Sequence, residues 1–395
     1  MRVLLVVILG LLLTAPALAD DQPRPLNANG LALTPPMGWN SWNKFACDNS
    51  EATVRATADA MVASGMRDAG YVYLVIDDCW QGKRDAGGFI HADPQKFPSG
   101  IKAVADYVHA KGLKFGIYSD AGALTCGGRP GSQGHEYQDA LQYARWGVDY
   151  LKYDWCSTGT RDAQEAYRTM AEALRATGRP IVFSICEWGT SKPWLWATTT
   201  GNLWRTTGDI WDGWKGKNAN GYSLGVMDIV DLNEPLWPFA GPGHWNDADM
   251  LEVGNGGMTD DEYRAHFSLW AMMASPLMAG NDIAHMTPAT RSILLNKAVI
   301  AVDQDRLGEQ GRRVDAKGDM EVWMKPLVGG ARAVLFLNRG KTPGTIGVKW
   351  GALGYPARLE ATATDLWTGE VFDHQSSGLT RTVRPHSVVM LRVAP

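Results

Sequence analysis

The sequence predicts a (β/α)₈ TIM barrel followed by a C-terminal antiparallel β-sandwich domain. Short apolar runs rich in Val, Ile, Tyr and Trp alternate with helix-like stretches rich in Ala, Glu and Arg. This alternation continues for about 270 residues, which is typical of a parallel sheet. Acidic residues recur where the apolar runs end, and helical patterns disappear in the last part of the chain. We therefore expect a barrel domain over 20–305 and a β domain over 306–395.

Eight apolar runs are the candidate barrel strands. They span 37–42, 71–78, 113–120, 148–154, 181–187, 202–209, 243–250 and a less regular run at 269–280. Helix-like segments lie at 50–66, 99–112, 136–147 and 163–178. About eight strand–helix repeats favour closure into a barrel. An open doubly wound sheet is the alternative, and it is disfavoured because no glycine-rich phosphate loop follows the first strand.

Acidic side chains mark the carboxyl ends of six candidate strands. They are Asp77 with Asp78, Asp120, Asp154, Glu187, Asp209 and Asp249. In a barrel these strand ends converge on one mouth, where active sites are built. From about residue 314 the pattern changes to short alternating runs separated by turn residues, which predicts an antiparallel β domain of about 80 residues.

Composition excludes several classes of partner. The 395 residues are 45% apolar and 20% charged, and the net charge is −4. Without a basic excess, neither nucleic acid nor an anionic membrane surface is an expected partner. The chain contains 17 Trp, and a tryptophan ring can stack against a sugar or another flat ligand, although an aromatic-rich core is the simpler explanation for most of them.

The first 19 residues have the pattern of a cleavable signal peptide. One early Arg precedes an apolar stretch, and Ala17-Leu18-Ala19 forms the expected cleavage site. The apolar run is too short to span a bilayer, so we expect no membrane anchor and a secreted or periplasmic protein. Export makes disulfides possible, and five cysteines allow two of them with one thiol remaining.

Two candidate strands direct charged side chains to one face. Alternation in VDYLKYD places Lys152 and Asp154 on the face shared with Tyr150. The same rule applied to NLWRTTGD places Arg205 and Asp209 together. A buried ion pair in the barrel core is the structural alternative for the first strand. Two strands that each bring a base and an acid to the same mouth favour a polar ligand site.

Paired carboxylates in a cleft with tryptophan suggest glycoside hydrolysis. One carboxylate would attack the anomeric carbon, and the other would protonate the leaving oxygen. The charge of Lys152 would keep Asp154 ionised as the nucleophile, whereas Asp209 would need a raised pKa to act as the acid. Asp247 and Asp249 in WNDADM form a D-x-D pattern, but we expect no metal there because no His or further carboxylate has ligand spacing.

A series of motifs resembles the family 27 glycoside hydrolases, specifically secreted α-galactosidases. In order they are TPPMGWNSWNKFAC, IDDCW, GIYSD, YLKYDWC, CEWG, WRTTGDI, WNDADMLEVGN and VDQDRLGEQG. The likeness covers essentially the whole chain after the signal peptide. It implies a retaining exo-acting enzyme that releases terminal α-D-galactose from oligosaccharides, galactomannans or other galactosides by double displacement, with no metal or organic cofactor.

The resemblance also implies roles for individual residues. Asp154 would be the nucleophile and Asp209 the acid/base. The implied substrate-binding residues are Trp42, Asp77, Asp78, Tyr118, Lys152, Glu187, Trp188 and Arg205. Because alternation cannot direct both aspartates of IDDCW inward, Asp78 is expected in the loop after its strand. The implied disulfides are Cys47–Cys79 and Cys126–Cys156, with Cys186 free.

The same resemblance bears on sugar specificity. Glu187 would hydrogen-bond a free 2-hydroxyl and crowd an acetamido group, and the intact pair of Asp77 and Asp78 would hold the 4- and 6-hydroxyls. Both features favour galactose over the related α-N-acetylgalactosaminidase and β-L-arabinopyranosidase activities. The second alternative is a catalytically inactive carbohydrate-binding barrel, which would need neither Asp154 nor Asp209. The sequence predicts no oligomeric state.

Overall fold

The computed structural model describes residues 29–395, so the predicted signal peptide lies outside the described residues. The first ten strands are β1 (Met37–Asn40), β2 (Tyr73–Val75), β3 (Gln81–Arg84), β4 (Ile90–Ala92), β5 (Lys114–Asp120), β6 (Tyr150–Asp154), β7 (Val182–Ile185), β8 (Leu203–Arg205), β9 (Trp245–Asp247) and β10 (Leu277–Ala279). Eight of them form one parallel sheet in the order β10-β1-β2-β5-β6-β7-β8-β9. The antiparallel pair β3–β4 lies in the connection after β2.

The parallel sheet closes between its first and last strands. Four residues after the end of β9, Leu251 forms a parallel bridge with Ala279 in β10. The Leu251 N–H donates to Met278 O at 2.8 Å, and the Gly280 N–H donates to Leu251 O at 3.0 Å. The predicted parallel barrel is thereby confirmed, with every predicted strand region contributing one barrel strand.

The α-helices are α1 (Trp42–Phe45), α2 (Glu51–Ala63), α3 (Met66–Ala69), α4 (Gly100–Ala110), α5 (Glu136–Trp146), α6 (Ala163–Ala176), α7 (Val226–Asn233), α8 (Asp260–Met273), α9 (Pro288–Leu294) and α10 (Lys297–Asp303). The four predicted helical segments are all present. Among the described residues, none of the helices has the length and hydropathy needed to cross a bilayer.

The predicted strand at 269–280 is wrong over its first half. Helix α8 begins with a capping box between Thr259 and Glu262 and continues to Met273, leaving only Leu277–Ala279 as strand. The second half of this helix is buried on all sides, including Trp270. A short run that is apolar all round has neither the helical nor the strand period, so periodicity cannot separate the two structures.

The C-terminal domain is antiparallel throughout. Its strands are β11 (Arg312–Lys317), β12 (Met320–Pro326), β13 (Arg332–Asn338), β14 (Gly344–Val348), β15 (Ala361–Asp365), β16 (Val371–Gln375), β17 (Leu379–Val383) and β18 (Ser387–Ala394). Six strands form one sheet in the order β11-β12-β13-β18-β15-β16, and β14 pairs with β17. A separate apolar core, which includes Phe336 and Trp350, fills this domain. The exact division of the chain at residue 305 stays a prediction.

Strand β12 joins the C-terminal domain to the barrel. The Trp323 ring is fully buried in the apolar core of the barrel. Lys325 is also fully buried, and its Nζ donates to Ala271 O in helix α8 at 3.0 Å. A buried ammonium group needs such acceptors because it has lost its water. The contact between the two domains therefore combines apolar packing with a buried polar anchor.

Candidate active site

A cavity of about 550 Å³ opens at the carboxyl ends of the barrel strands. Nearly all of the predicted site residues line it: Trp42, Asp77, Asp78, Tyr118, Lys152, Asp154, Trp188, Arg205 and Asp209. They come from the carboxyl-terminal ends of six barrel strands, β1, β2, β5, β6, β7 and β8, which is the arrangement expected of a barrel active site. Glu187 is the predicted residue that does not line the cavity.

Asp154 is the last residue of β6 and is almost fully buried. Its Oδ2 accepts a hydrogen bond from the Tyr118 hydroxyl at 2.9 Å, and its Oδ1 accepts one from the Trp155 N–H at 2.9 Å. Burial raises the pKa of Asp154 to about 6, although the charge of Lys152 acts in the opposite direction. The carboxylate is therefore held in one orientation in a poorly hydrated place.

The alternation predicted for this strand is confirmed. Lys152 and Asp154 line the cavity, while Leu151 and Tyr153 pack in the outer apolar core. The charge of Lys152 lowers the pKa of Asp154, in the expected direction, but desolvation raises this pKa by more. Sequence alternation reports the direction of a side chain but not the amount of water around it.

Lys152 and Asp77 form a buried ion pair on the floor of the cavity. The Lys152 Nζ lies 2.8 Å from Asp77 Oδ2, and the same oxygen accepts from Asn40 Nδ2 at 2.7 Å. Asp78 accepts from the Cys79 and Gly127 N–H groups, both at 2.6 Å. Strand β2 ends at Val75, so Asp78 lies beyond the strand as predicted.

Asp209 has a different setting from Asp154. Strand β8 ends at Arg205, so Asp209 lies in the loop that follows and its predicted place on the strand is wrong. Thr207, which the same alternation had placed in the strand, donates to the Gly208 carbonyl instead. Such a local side-chain contact offers the backbone an alternative to the strand ladder. The Asp209 side chain remains 57% exposed, compared with 4% for Arg205.

Arg205 bridges two carboxylates. Its Nη2 lies 2.9 Å from Asp209 Oδ1 and 2.8 Å from Asp249 Oδ2. The protein walls around the Asp209 carboxylate displace part of its water, which by itself would raise its pKa. The positive charges of Arg205 and Lys152 outweigh this desolvation and hold the pKa of Asp209 below its usual range. The raised pKa that an acid requires is therefore not a property of Asp209 in this free state.

The carboxylates of the D-x-D pattern, Asp247 and Asp249, both accept hydrogen bonds from groups of the protein itself. Besides Arg205, Asp249 accepts from the Ile210 and Met250 N–H groups, and Asp247 accepts from the Asp249 N–H at 2.9 Å. The sequence did not predict the pairing of Asp249 with Arg205. The available signal was the position of Asp249 at the carboxyl end of a candidate strand. Within residues 29–395, the one cluster with metal-ligand proximity contains Asp120, Cys126 and Cys156, and its two sulfurs form a disulfide.

Glu187 is turned away from the cavity, which corrects its predicted contact with the sugar. Strand β7 ends at Ile185, and continued alternation places Cys186 towards the lumen and Glu187 on the opposite face. The Glu187 side chain is fully buried, and its Oε2 accepts from the Ser191 N–H and the Thr190 hydroxyl, both at 2.6 Å. Trp188, with a φ of 57°, instead lines the cavity.

Both predicted disulfides are present. Cys47 is bonded to Cys79, and Cys126 is bonded to Cys156, while Cys186 is a buried free thiol. The second disulfide borders the reactive centre, because Cys126 Sγ lies 3.5 Å from Asp154 Oδ2. This bond joins the loop after β5 to the residues that follow β6, so it restrains the end of the strand that bears Asp154.

A parallel barrel with two aspartates, an ion-paired lysine and tryptophan rings at one mouth defines a glycoside hydrolase. The model of the family described as "Alpha galactosidase A" matches residues 34–305, and that of the "Alpha galactosidase C-terminal beta sandwich domain" matches residues 317–393. The chain belongs to this family, the family 27 α-galactosidases.

Known relatives are similar over nearly the full chain. An α-galactosidase A from Cellvibrio japonicus is 52% identical over 98% of this chain and 98% of its own length. The crystal structure of α-galactosidase I from Mortierella vinacea is 39% identical, with a TM-score of 0.91 over 93% of this chain and 98% of that one. An α-galactosidase from Saccharomyces cerevisiae, solved with raffinose, is 33% identical with a TM-score of 0.89 over 94% and 100%.

Proposed function

We propose that the protein is a retaining exo-α-galactosidase that releases terminal non-reducing α-D-galactose from oligosaccharides, galactomannans or other galactosides. The observation that carries the proposal is that Asp154 and Asp209 line one cavity in unlike surroundings, one fixed and buried, the other exposed beside a cation. Two carboxylates with different surroundings can take the two roles that retention requires. The predicted leader, 1–19, supports secretion or export to the periplasm.

In the first step, Asp154 attacks the anomeric carbon. The bond from its carboxylate oxygen to the carbon forms while the glycosidic bond breaks, and Asp209 donates its proton to the departing oxygen. The hydrogen bonds from Tyr118 and Trp155 orient the attacking group before the substrate arrives. Orientation of this kind contributes to catalysis by removing unproductive geometries from the ground state.

Proton donation requires a rise in the pKa of Asp209 when substrate binds. The sugar and its leaving group cover the exposed carboxylate, and desolvation disfavours its charged form. Attack then removes the negative charge of Asp154, which lowers the pKa of Asp209 and favours transfer of its proton to the leaving oxygen. In the second step the carboxylate of Asp209 removes a proton from water, the water oxygen bonds to the anomeric carbon, and Asp154 departs as a carboxylate. The product keeps the α configuration.

The walls of the cavity suit one terminal galactose. The charged floor formed by Asp77, Asp78 and Lys152 offers partners for sugar hydroxyls, and Trp42 offers an apolar ring at the side. The side chains of Lys152 and Asp77 are only 16% and 2% exposed, so this ion pair lies deep in the barrel, which suits a cavity that takes the end of a sugar chain.

The two acid roles can be tested by chemical rescue with azide. In Asp154→Gly, azide can occupy the place of the nucleophile, attack once and yield β-galactosyl azide. In Asp209→Gly, azide can enter only after the covalent intermediate has formed, so it yields α-galactosyl azide. The measurement is the anomeric configuration of the product by NMR. Exchanged configurations would contradict the assignment of the two aspartates.

Substrate choice is tested separately on the unmodified enzyme. The p-nitrophenyl α-galactoside should be hydrolysed with higher kcat/KM than the corresponding α-N-acetylgalactosaminide and β-L-arabinopyranoside. The first product released should be α-galactose before it mutarotates, because the mechanism is retaining. A reversed ranking of substrates would overturn the galactose assignment, and β-galactose as the first product would overturn retention.

A further inference from the structure

The loop that follows Asp209 forms a fixed wall of the cavity. Its Ile210 N–H donates to Asp249 Oδ2 at 2.8 Å. The Trp211 N–H donates to Leu224 O at 3.1 Å, and the Leu224 N–H donates to Asp209 O at 2.7 Å. Asp212 accepts from the Tyr263 hydroxyl at 2.9 Å, which fastens the loop to helix α8. The side chains of Ile210, Trp211 and Asp212 all line the cavity. No role was predicted for any of these residues.

Within this loop the Trp211 ring is held in one orientation. Its Nε1 donates to Gly216 O at 2.9 Å. Its other edge packs so closely against Gly213 that a Cβ at that position would overlap three ring atoms. The ring is half-buried, so it is held in place and still presents apolar surface to the cavity. A ring fixed before binding loses little conformational freedom when a ligand arrives.

The position of Trp211 next to Asp209 in the chain indicates which part of a substrate the Trp211 ring borders. Asp209 must reach the glycosidic oxygen, so the residues beside it border the group attached to that oxygen. Trp211 is two residues beyond Asp209, whereas Trp42 is the first residue of helix α1, which follows β1. The polar rim beside Trp211 includes Ser223 and Asp212. An aromatic face with hydroxyl and carboxylate groups at its edge suits a pyranose ring.

We propose that Trp211 is the stacking platform for the sugar ring on the leaving-group side of the scissile bond. This inference rests on the proposed function and specifies it, because it makes saccharides the preferred leaving groups of this enzyme. The same platform would bind an acceptor sugar after the first step. A hydroxyl of that acceptor would then attack the anomeric carbon, lose its proton to Asp209 and release Asp154.

The test compares substrates with and without a leaving-group ring. In Trp211→Ala, kcat/KM for melibiose and raffinose should fall about tenfold, the size expected for loss of one stacked ring. For α-galactosyl fluoride, whose leaving group has no ring, kcat/KM should change by less than about twofold. Trp211→Phe keeps an aromatic face and should recover most of the activity on melibiose. Trp237→Ala, at an exposed tryptophan away from the cavity, serves as the matched control and should leave both activities unchanged.

A second measurement does not depend on the fraction of folded enzyme. The ratio of sugar transfer to hydrolysis at high melibiose concentration should fall in Trp211→Ala and be restored in Trp211→Phe. An unchanged ratio with unchanged melibiose kinetics would overturn the proposal. An equal loss on melibiose and on the fluoride would also overturn it, because Trp211 would then only support the loop. Absence of activity on both substrates in the unmodified enzyme would instead refute the proposed function.

Discussion

The two strand ends that carry the aspartates are built in opposite ways. Strand β6 continues to Asp154, whose carboxylate is buried and fixed by Tyr118 and a backbone N–H. Strand β8 stops at Arg205, and Asp209 follows on a loop with 57% of its side chain exposed. A nucleophile benefits from fixed position and poor hydration, whereas an acid/base needs access to the leaving group and to water. The difference in backbone thus matches the difference in proposed role.

The largest expected effect is the loss of activity when either aspartate is replaced. For Asp209, but not for Asp154, the size of this loss should depend on the leaving group. Asp154→Asn should lower kcat by at least about 10³-fold on every galactoside, because each reaction needs the nucleophile. Asp209→Asn should cause a similar loss on melibiose but a much smaller loss on α-galactosyl fluoride, which needs no proton. The measurement is kcat/KM for both substrates. An equal loss of Asp209→Asn activity on both would contradict its role as the acid.

Removing the cation beside Asp209 should change the pH profile. In Arg205→Gln, kcat/KM should fall about 10- to 100-fold because a charged hydrogen-bonding group is lost. The pKa of Asp209 is held down by this cation, so in the substrate complex it should rise and carry the basic limb of the kcat profile to higher pH. Arg205→Lys keeps the charge and should shift the limb less. A basic limb that stays in place would show that Arg205 does not set the ionisation of Asp209.

The two disulfides allow a matched test of how the end of β6 is restrained. Their loops are of similar length, with sequence separations of 32 and 30 residues, so removing either should lower the free energy of unfolding by about 2–4 kcal/mol. The double Ser variant of Cys126 and Cys156 should also lose kcat, because this bond borders Asp154. The corresponding variant of Cys47 and Cys79 should lose less. Urea unfolding and kcat at one temperature make the comparison, and equal kcat losses would contradict it.

The smallest expected effect concerns Tyr118. Its hydroxyl helps to keep Asp154 ionised, so Tyr118→Phe should raise the pKa of Asp154 above its value of about 6. Activity requires the ionised nucleophile and falls as the pH drops through this pKa. In the substrate complex, where the pKa of Asp209 has risen, the acid limb of kcat should therefore move to higher pH by less than about one unit. Movement to lower pH would reverse the assigned direction of the Tyr118 contact.

The sequence was sufficient to predict the repeating parts of the molecule. The barrel strands and the β domain follow from periodicity, because each buried face imposes a regular pattern. The direction of Lys152 and Asp154 follows from the same rule. Glu187 follows this rule too, since continued alternation after β7 turns it away from the lumen, whereas the family motif CEWG predicts a contact with the sugar.

Other features depend on contacts that a single strand does not contain. Strand β8 ends before Thr207, whose hydroxyl makes a local hydrogen bond, and the pKa of Asp154 is raised chiefly by burial. The orientation of Trp211 depends on Gly213 and Gly216, which are common residues with no signature of their own. With 17 tryptophans in the chain, nothing in the sequence distinguishes this ring from those in the core.

The buried Lys325 has a consequence for how the protein unfolds. Its ammonium group reaches the Ala271 carbonyl near the end of α8, and Trp323 from the same strand fills part of the barrel core. Separating the domains would leave a carbonyl without its donor and expose an apolar face on each side. The barrel and the β domain should therefore melt in one cooperative transition, and a barrel truncated before β11 should not persist as an independent folding unit.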